Sequence, residues 1–199
     1  MKIRRRALWV ATGLFMPVLI LGLYLAWLQM SGNFAPVVDG EVYRSNQPTP
    51  ERLAEYKAAY GIKTVINLRG AAPDEDWYIR EKQAAEALGI TLVDMPLSST
   101  RDLTDDELRQ LVGILRSAEK PILIHCRSGA NRTGLAAAIY LAAIDGVDPV
   151  IAGRQLSLRY GHVSVPLLPE TSAMDRSWER FLAAGPAIVS DIPGVAPVQ

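Results

Sequence analysis

The chain has 199 residues, with 21 lysines and arginines balanced by 21 aspartates and glutamates, and a formal net charge of zero gives no support to nucleic-acid binding. Its one cysteine cannot form an intramolecular disulfide, so a disulfide scaffold is excluded. The length suits one domain with appendages.

The first predicted element is apolar. Lys2, Arg4, Arg5 and Arg6 precede a stretch from Ala7 to Leu28 that carries no charged residue and is long enough to cross a hydrocarbon core of about 30 Å as a helix. Trp9, Tyr24 and Trp27 lie near its ends, where amphipathic rings favour the interface. Residues 1–6 therefore read as a basic cytoplasmic tip and residues 7–28 as a transmembrane signal-anchor helix seated in the lipid bilayer. The charge asymmetry places the remainder outside the cytoplasm, in the periplasm if the source is bacterial. A cleaved signal peptide is the alternative, but Gln29-Met30-Ser31-Gly32 is not a clear cleavage site. Without the four leader charges the remainder is mildly acidic, with 17 basic against 21 acidic residues.

Beyond the leader, Thr49-Pro50-Glu51-Arg52 predicts a capped helix start and Gly61 its end. Ile62 to Leu68 reads as a buried strand, Asp74 to Leu88 as a helix, and Ile90 to Met95 as the next strand. Thr104 with Glu107 forms a capping box for a helix through Ala118. Pro121 to His125 is a strand, and Thr133 to Ile144 is an apolar helix. Further helical patterns run from Pro149 to Leu158 and from about Ser172 to Ala183. Alternating strands and helices predict an α/β fold with a mostly parallel central sheet flanked by helices. The domain is expected over residues 36–183, and the Pro- and Gly-rich segment 184–199 reads as a disordered tail.

The chemistry concentrates in Ile122-Leu123-Ile124-His125-Cys126-Arg127-Ser128-Gly129-Ala130-Asn131-Arg132-Thr133-Gly134. Here the cysteine ends an apolar strand, a Gly-containing turn follows, and an arginine opens a helix. A loop closing onto a helix N-terminus aims backbone N–H groups at one point and adds the positive end of the helix dipole. A phosphate fits that point, and a thiol placed there is drawn toward thiolate. Arg132 can hold two phosphoryl oxygens in a fork.

The pattern Cys126-x5-Arg132, with His125 before it and Thr133-Gly134 after it, resembles the signature of the cysteine-dependent protein tyrosine and dual-specificity phosphatases. Val42-Tyr43-Arg44-Ser45 and Val65-Ile66-Asn67-Leu68-Arg69-Gly70 are similar to segments of compact bacterial dual-specificity-like members, so the resemblance spans about residues 36–182. It implies hydrolysis of phosphate monoesters through a cysteinyl-phosphate, without a metal or other cofactor. Cys126 is then the nucleophile, residues Arg127, Ser128, Gly129, Ala130, Asn131 and Arg132 bind the phosphoryl group, and His125 and Thr133 support them. His125 is expected to orient the loop and lower the thiol pKa.

The general acid is less legible. The family's usual aspartate position falls on Ser98 or Ser99, and serine is a poor acid. Asp102 is the expected substitute, with Asp94 a lesser candidate. Arg127 could contact a second phosphate, while Asn67 and Arg69 could line the pocket, though a structural role is favoured for them. His162 and Gln155 are possible rim residues. The substrate is expected to be a phosphorylated protein. A lipid or envelope phosphate, or a non-catalytic phosphate-binding module, are the other readings.

Overall fold

The computed structural model describes residues 2–165 and 168–185, with side chains from Met16 onward. The chain opens with α1 (Lys2–Met30). A hairpin follows, β1 (Ala35–Val38) and β2 (Val42–Ser45), and then α2 (Pro50–Tyr60) and β3 (Thr64–Asn67). Next come α3 (Asp76–Ala87), β4 (Thr91–Asp94), α4 (Asp105–Ser117) and β5 (Ile122–His125). The described chain closes with α5 (Asn131–Ala143), the short α6 (Pro149–Ala152) and α7 (Ala173–Ala184). From residue 186 the expected tail lies outside the described residues.

Local chemistry explains most boundaries. The Thr49 hydroxyl accepts from the Arg52 N–H, and Gly61 closes α2 in the left-handed conformation, with φ +68°. The Thr104–Glu107 capping box is present at the start of α4. The predicted helix from Pro149 to Leu158 is broken instead: α6 has four residues, and two 3₁₀ turns, Gly153–Gln155 and Leu158–Tyr160, follow it. The β1–β2 hairpin is an addition to the predicted elements, since strands of four residues are too short to show a clear period.

The sheet runs in the order β1-β2-β5-β3-β4. β1 pairs antiparallel with β2, and the other three pairings are parallel, so the fold is α/β with a mixed, mostly parallel sheet. Alternating strand residues face opposite sides. Val42, Ile66, Ile122 and Ile124 pack with α4, α5 and α7 on one side. Tyr43, Val65 and Leu123 pack with α2 and α3 on the other. Every α5 residue from Thr133 to Ala143 is buried, as its all-round apolar sequence requires.

The transmembrane expectation for residues 7–28 gains no support from the described residues. Among the described residues no helix is long and apolar enough to cross a membrane, and the side chains of residues 7–15 lie outside those described. At the other end of the stretch the last turns of α1 touch the domain through a few residues, while Ile20, Leu23 and Trp27 stay exposed. The Tyr24 hydroxyl donates to the Arg159 carbonyl at 2.7 Å, and Leu28 is buried. Asn46 Nδ2 donates to the Gln29 carbonyl at 2.9 Å.

Candidate active site

Three parallel strands end side by side. Ser45 of β2 and Asn67 of β3 both pair with His125 of β5, so the loops that follow converge above the central strand, where parallel sheets usually place their sites. Cys126 is the first residue past β5 and is buried.

Burial pushes the Cys126 thiol up, but the Thr133 hydroxyl, the charge of Arg132 and the backbone N–H groups of Thr133 and Gly129 outweigh it, and the thiol lies below its ordinary value. The buried Thr133 hydroxyl has no partner of its own among the described residues, which leaves its proton available to the sulfur. The groups that lower the thiol most do not include His125. Its Nε2 lies 2.8 Å from Glu81 Oε1, with both side chains fully buried. His125 therefore links β5 to α3 immediately before the nucleophile.

Arg132 is placed by its own hydrogen bonds. Its Nη1 donates to the carbonyls of Leu68 at 3.1 Å and Leu97 at 3.0 Å. Its Nε is buried without a partner among the described residues, an expensive arrangement unless that donor serves an incoming anion. The loop itself is braced all round. Ser128 accepts through its carbonyl from Asn33 Nδ2 at 3.0 Å and from Gln29 Nε2 at 3.2 Å. Gly129 accepts from Arg44 Nη2 at 2.7 Å. Asn131 Oδ1 lies 3.0 Å from His162 Nδ1, whose other ring nitrogen meets Asp175 at 3.0 Å. Ala130 is buried, and Arg127 is exposed at the rim. His162 is thus a loop support, as is Gln155, whose Oε1 accepts from Arg44 at 2.6 Å.

Gly129 is constrained by backbone on the neighbouring strand. Its φ is +71°, and a Cβ there would lie 2.7 Å from backbone atoms of Ser45 and Asn46, which cannot move without breaking the β2–β5 ladder. Gly129→Ala is expected to displace the loop and cut hydrolysis of aryl phosphates by at least about 10²-fold. Steady-state kinetics on the purified protein would check this, and unchanged kcat/KM would show that the loop tolerates the side chain.

Arg44 and Glu81 escaped the sequence reading as site residues. Arg44 is fully buried, its guanidinium 3.7 Å from the centre of the Tyr160 ring. Burial lowers its pKa to about 10, against the opposing pull of Tyr160 and Cys126. Its signal was an arginine inside the strand Val42-Tyr43-Arg44-Ser45. Glu81 shares the buried face of α3 with Tyr78 and Ala85, so its signal was an acid at an inward helical position.

The expected acids are engaged elsewhere. Arg176 of α7 donates its Nε to both Asp102 carboxylate oxygens, at 2.9 and 3.1 Å, and its Nη2 lies 2.7 Å from Oδ1. Asp102 lines a surface cleft with Asp105, Arg109 and Arg180, not the cavity that contains Arg132. Asp94 accepts from Asn67 at 2.8 Å and from the Tyr78 hydroxyl, and that second bond pushes the Tyr78 phenol up to about 12. Ser98 Oγ accepts from the backbone N–H groups of Thr100 and Arg101 and so shapes a turn. The cavity beside the phosphate loop, about 810 Å³, is lined by Gln47, Arg69, Ala72, Glu75, Trp77, Arg127 and Arg132. Glu75 is its only lining carboxylate among the described residues.

Comparison with known proteins agrees with this geometry. Residues 30–161 match a family model described as "PTP-NADK: DSP-PTPase phosphatase fused to NAD+ Kinase". The chain is similar to the dual specificity protein phosphatase TpbA of Pseudomonas aeruginosa strain UCBPP-PA14, 31% identical over 112 residues, which cover 54% of this chain and 45% of that protein. It is also similar to inositol diphosphatase DSP3 of Arabidopsis thaliana, 32% identical over 106 residues, 51% of this chain and 50% of that one. The crystal structure of P. aeruginosa TpbA superposes with a TM-score of 0.57 at 25% identity, covering 77% of this chain and 91% of the other. The chain spans about half the length of the curated relatives it matches.

Proposed function

Since the chain belongs to the family of cysteine-dependent phosphatases described as DSP-PTPase phosphatase fused to NAD+ kinase, we propose that it hydrolyses phosphate monoesters of proteins through a cysteinyl-phosphate. The observation that carries this reading is the pairing of a depressed Cys126 thiol with Arg132, whose Nη1 is anchored while its buried Nε has no partner of its own.

The Cys126 thiolate attacks phosphorus in line with the leaving oxygen. The S–P bond forms as the ester P–O bond breaks. Backbone N–H groups of residues 127–132 and the Arg132 fork hold the equatorial oxygens, where charge develops. Water then attacks the phosphorus of the thiophosphate. The S–P bond breaks, and the Thr133 hydroxyl receives the returning thiolate. The leaving oxygen takes its proton from solvent or from the substrate while Asp102 stays paired with Arg176.

That assignment is testable. Asp102→Asn is expected to keep kcat on a phosphotyrosine peptide within about threefold of the native value, whereas removing a general acid costs about 10²–10⁴-fold. A loss of that size would show that the Arg176 pair opens during turnover. Substrate class is tested by assaying a phosphotyrosine peptide beside phospholipid monoesters. Faster turnover of the peptide is expected, and turnover of lipids alone would replace the protein reading with the lipid one.

The lipid reading has one observation in its favour, the docking on the phosphate loop of the end of α1, through Gln29, and of the segment after it, through Asn33. If the apolar stretch from residue 7 tethers the protein to a bilayer, the loop works close to that surface, outside the cytoplasm by the charge rule. A reporter active only outside the cytoplasm, fused to the C-terminus, is expected to be active. A silent but expressed reporter reverses this topology.

A further inference from the structure

The phosphate loop accounts for Arg132 but not for the rest of the cavity beside it. Gln47, Arg69 and Arg127 each lie two residues beyond the paired positions Ser45, Asn67 and His125, so three neighbouring loops bring them together by continuing the sheet register. Backbone bonds hold the convergence: the Gln47 N–H donates to the Arg127 carbonyl at 3.3 Å, and the Leu68 N–H to the His125 carbonyl at 2.9 Å.

Arg69 is held in a fixed pose by neutral partners. Its guanidinium lies 3.3 Å from the centre of the Trp77 ring, and Nη1 donates to Gln47 Oε1 at 2.9 Å. Stacking and a single hydrogen bond restrain the side chain without a direct ion pair among the described residues. Gln47 Nε2 is buried and has no partner among the described residues. Partial burial lowers the Arg69 pKa, and repulsion from Arg127 and Arg132 lowers it further, against a smaller opposing pull from Glu81 and Cys126. Three guanidiniums line an 810 Å³ cavity whose only lining carboxylate among the described residues is Glu75. Gathering like charges is unfavourable unless an anion joins them.

We infer that Gln47, Arg69 and Arg127, on the platform of Trp77, form a second anion subsite that takes a phosphoryl group adjacent to the scissile one. Two guanidiniums and an amide offer donors for three acceptor oxygens, which suits a tetrahedral phosphoryl group better than a two-oxygen carboxylate. The inference rests on the phosphatase reading and narrows it to substrates that carry neighbouring phosphoryl groups, whether on a doubly phosphorylated peptide or a small diphosphate.

Competition against hydrolysis of p-nitrophenyl phosphate by the full chain tests it. Inorganic pyrophosphate is expected to inhibit at least about tenfold more tightly than inorganic phosphate, the effect of one charge-assisted contact. Arg69→Met is expected to bring the two inhibition constants within about threefold of each other, and Glu75→Gln to widen the gap. Arg109→Met removes the same charge from a separate cleft and is expected to leave the ratio as it is. Equal inhibition of the native protein by the two anions, or a ratio unchanged in Arg69→Met, overturns the subsite. Absence of any p-nitrophenyl phosphate turnover would instead count against the phosphatase reading, and calorimetry of both anions on Cys126→Ser then decides the subsite alone. A doubly phosphorylated peptide and a small diphosphate, each compared with its singly phosphorylated form, identify the source. Preference in neither pair also overturns the inference.

Discussion

Cys126→Ser is expected to lower turnover of phosphate monoesters by at least about 10⁴-fold, the scale seen when a covalent nucleophile is removed as part of a cooperating unit. The field of Arg132, the Thr133 hydroxyl and the loop N–H groups overcomes burial to depress a thiol. A serine hydroxyl starts so much higher that the same field leaves it protonated at neutral pH. Serine is close to cysteine in size, so the buried site keeps its packing and circular dichroism is expected to be unchanged. The native thiol gives a second readout. Its alkylation by iodoacetate follows the thiolate fraction, which falls only as pH drops through the depressed pKa. The rate is therefore expected to level off below the ordinary thiol value of about 8.5. An activity in Cys126→Ser equal to the native one, or a rate still climbing through pH 9 as for a free thiol, would sink the covalent mechanism.

Arg132→Lys is expected to cost about 10³-fold in kcat/KM although it preserves the charge. Arg132 acts through shape: Nη1 is tied to the Leu68 and Leu97 carbonyls, at 3.1 and 3.0 Å, while the buried Nε has no partner of its own. A lysine ammonium is one point of charge, and it cannot satisfy two carbonyls and present a parallel pair of donors to phosphoryl oxygens. The loss is set by transition-state contacts, where removal of a single oxyanion donor alone costs about 10²–10³-fold. It should therefore appear mainly in kcat, with KM less affected. A variant within tenfold of the native kcat/KM would show that charge alone suffices at this position.

These two residues were also the most legible, because the reactive centre is contiguous. Strand, nucleophile, turn, arginine and helix occupy thirteen consecutive residues, and local backbone geometry alone brings Cys126 and Arg132 to one point. The supports were harder to read. Arg44 bonds to Gly129 from β2, Asn33 bonds to Ser128 from the segment after α1, and His162 bonds to Asn131 from beyond α6. Each partner is between 31 and 95 residues away along the chain, and nothing in a one-dimensional pattern marks the pairing. Asp102 shows the converse. Its place in the loop before α4 suggested an acid that could swing into the pocket, but an arginine 74 residues later holds it in an ion pair.

What the sequence by itself determined is what short-range physics controls. That covers the capped starts of α2 and α4, the apolar strands, the buried α5 and the phosphate loop with its nucleophile and clamp. What only the tertiary structure decided is whatever depends on register and docking between distant segments. Arg69 and Gln47 reach the loop because parallel strands end together, Glu81 lies under His125 because α3 packs on the sheet, and the end of α1 is spent on the domain. The reason is the same throughout. Hydrogen-bonding and helical periods repeat within a few residues and leave a trace in the chain, whereas the meeting of separate elements is set by how their apolar faces close over a common core.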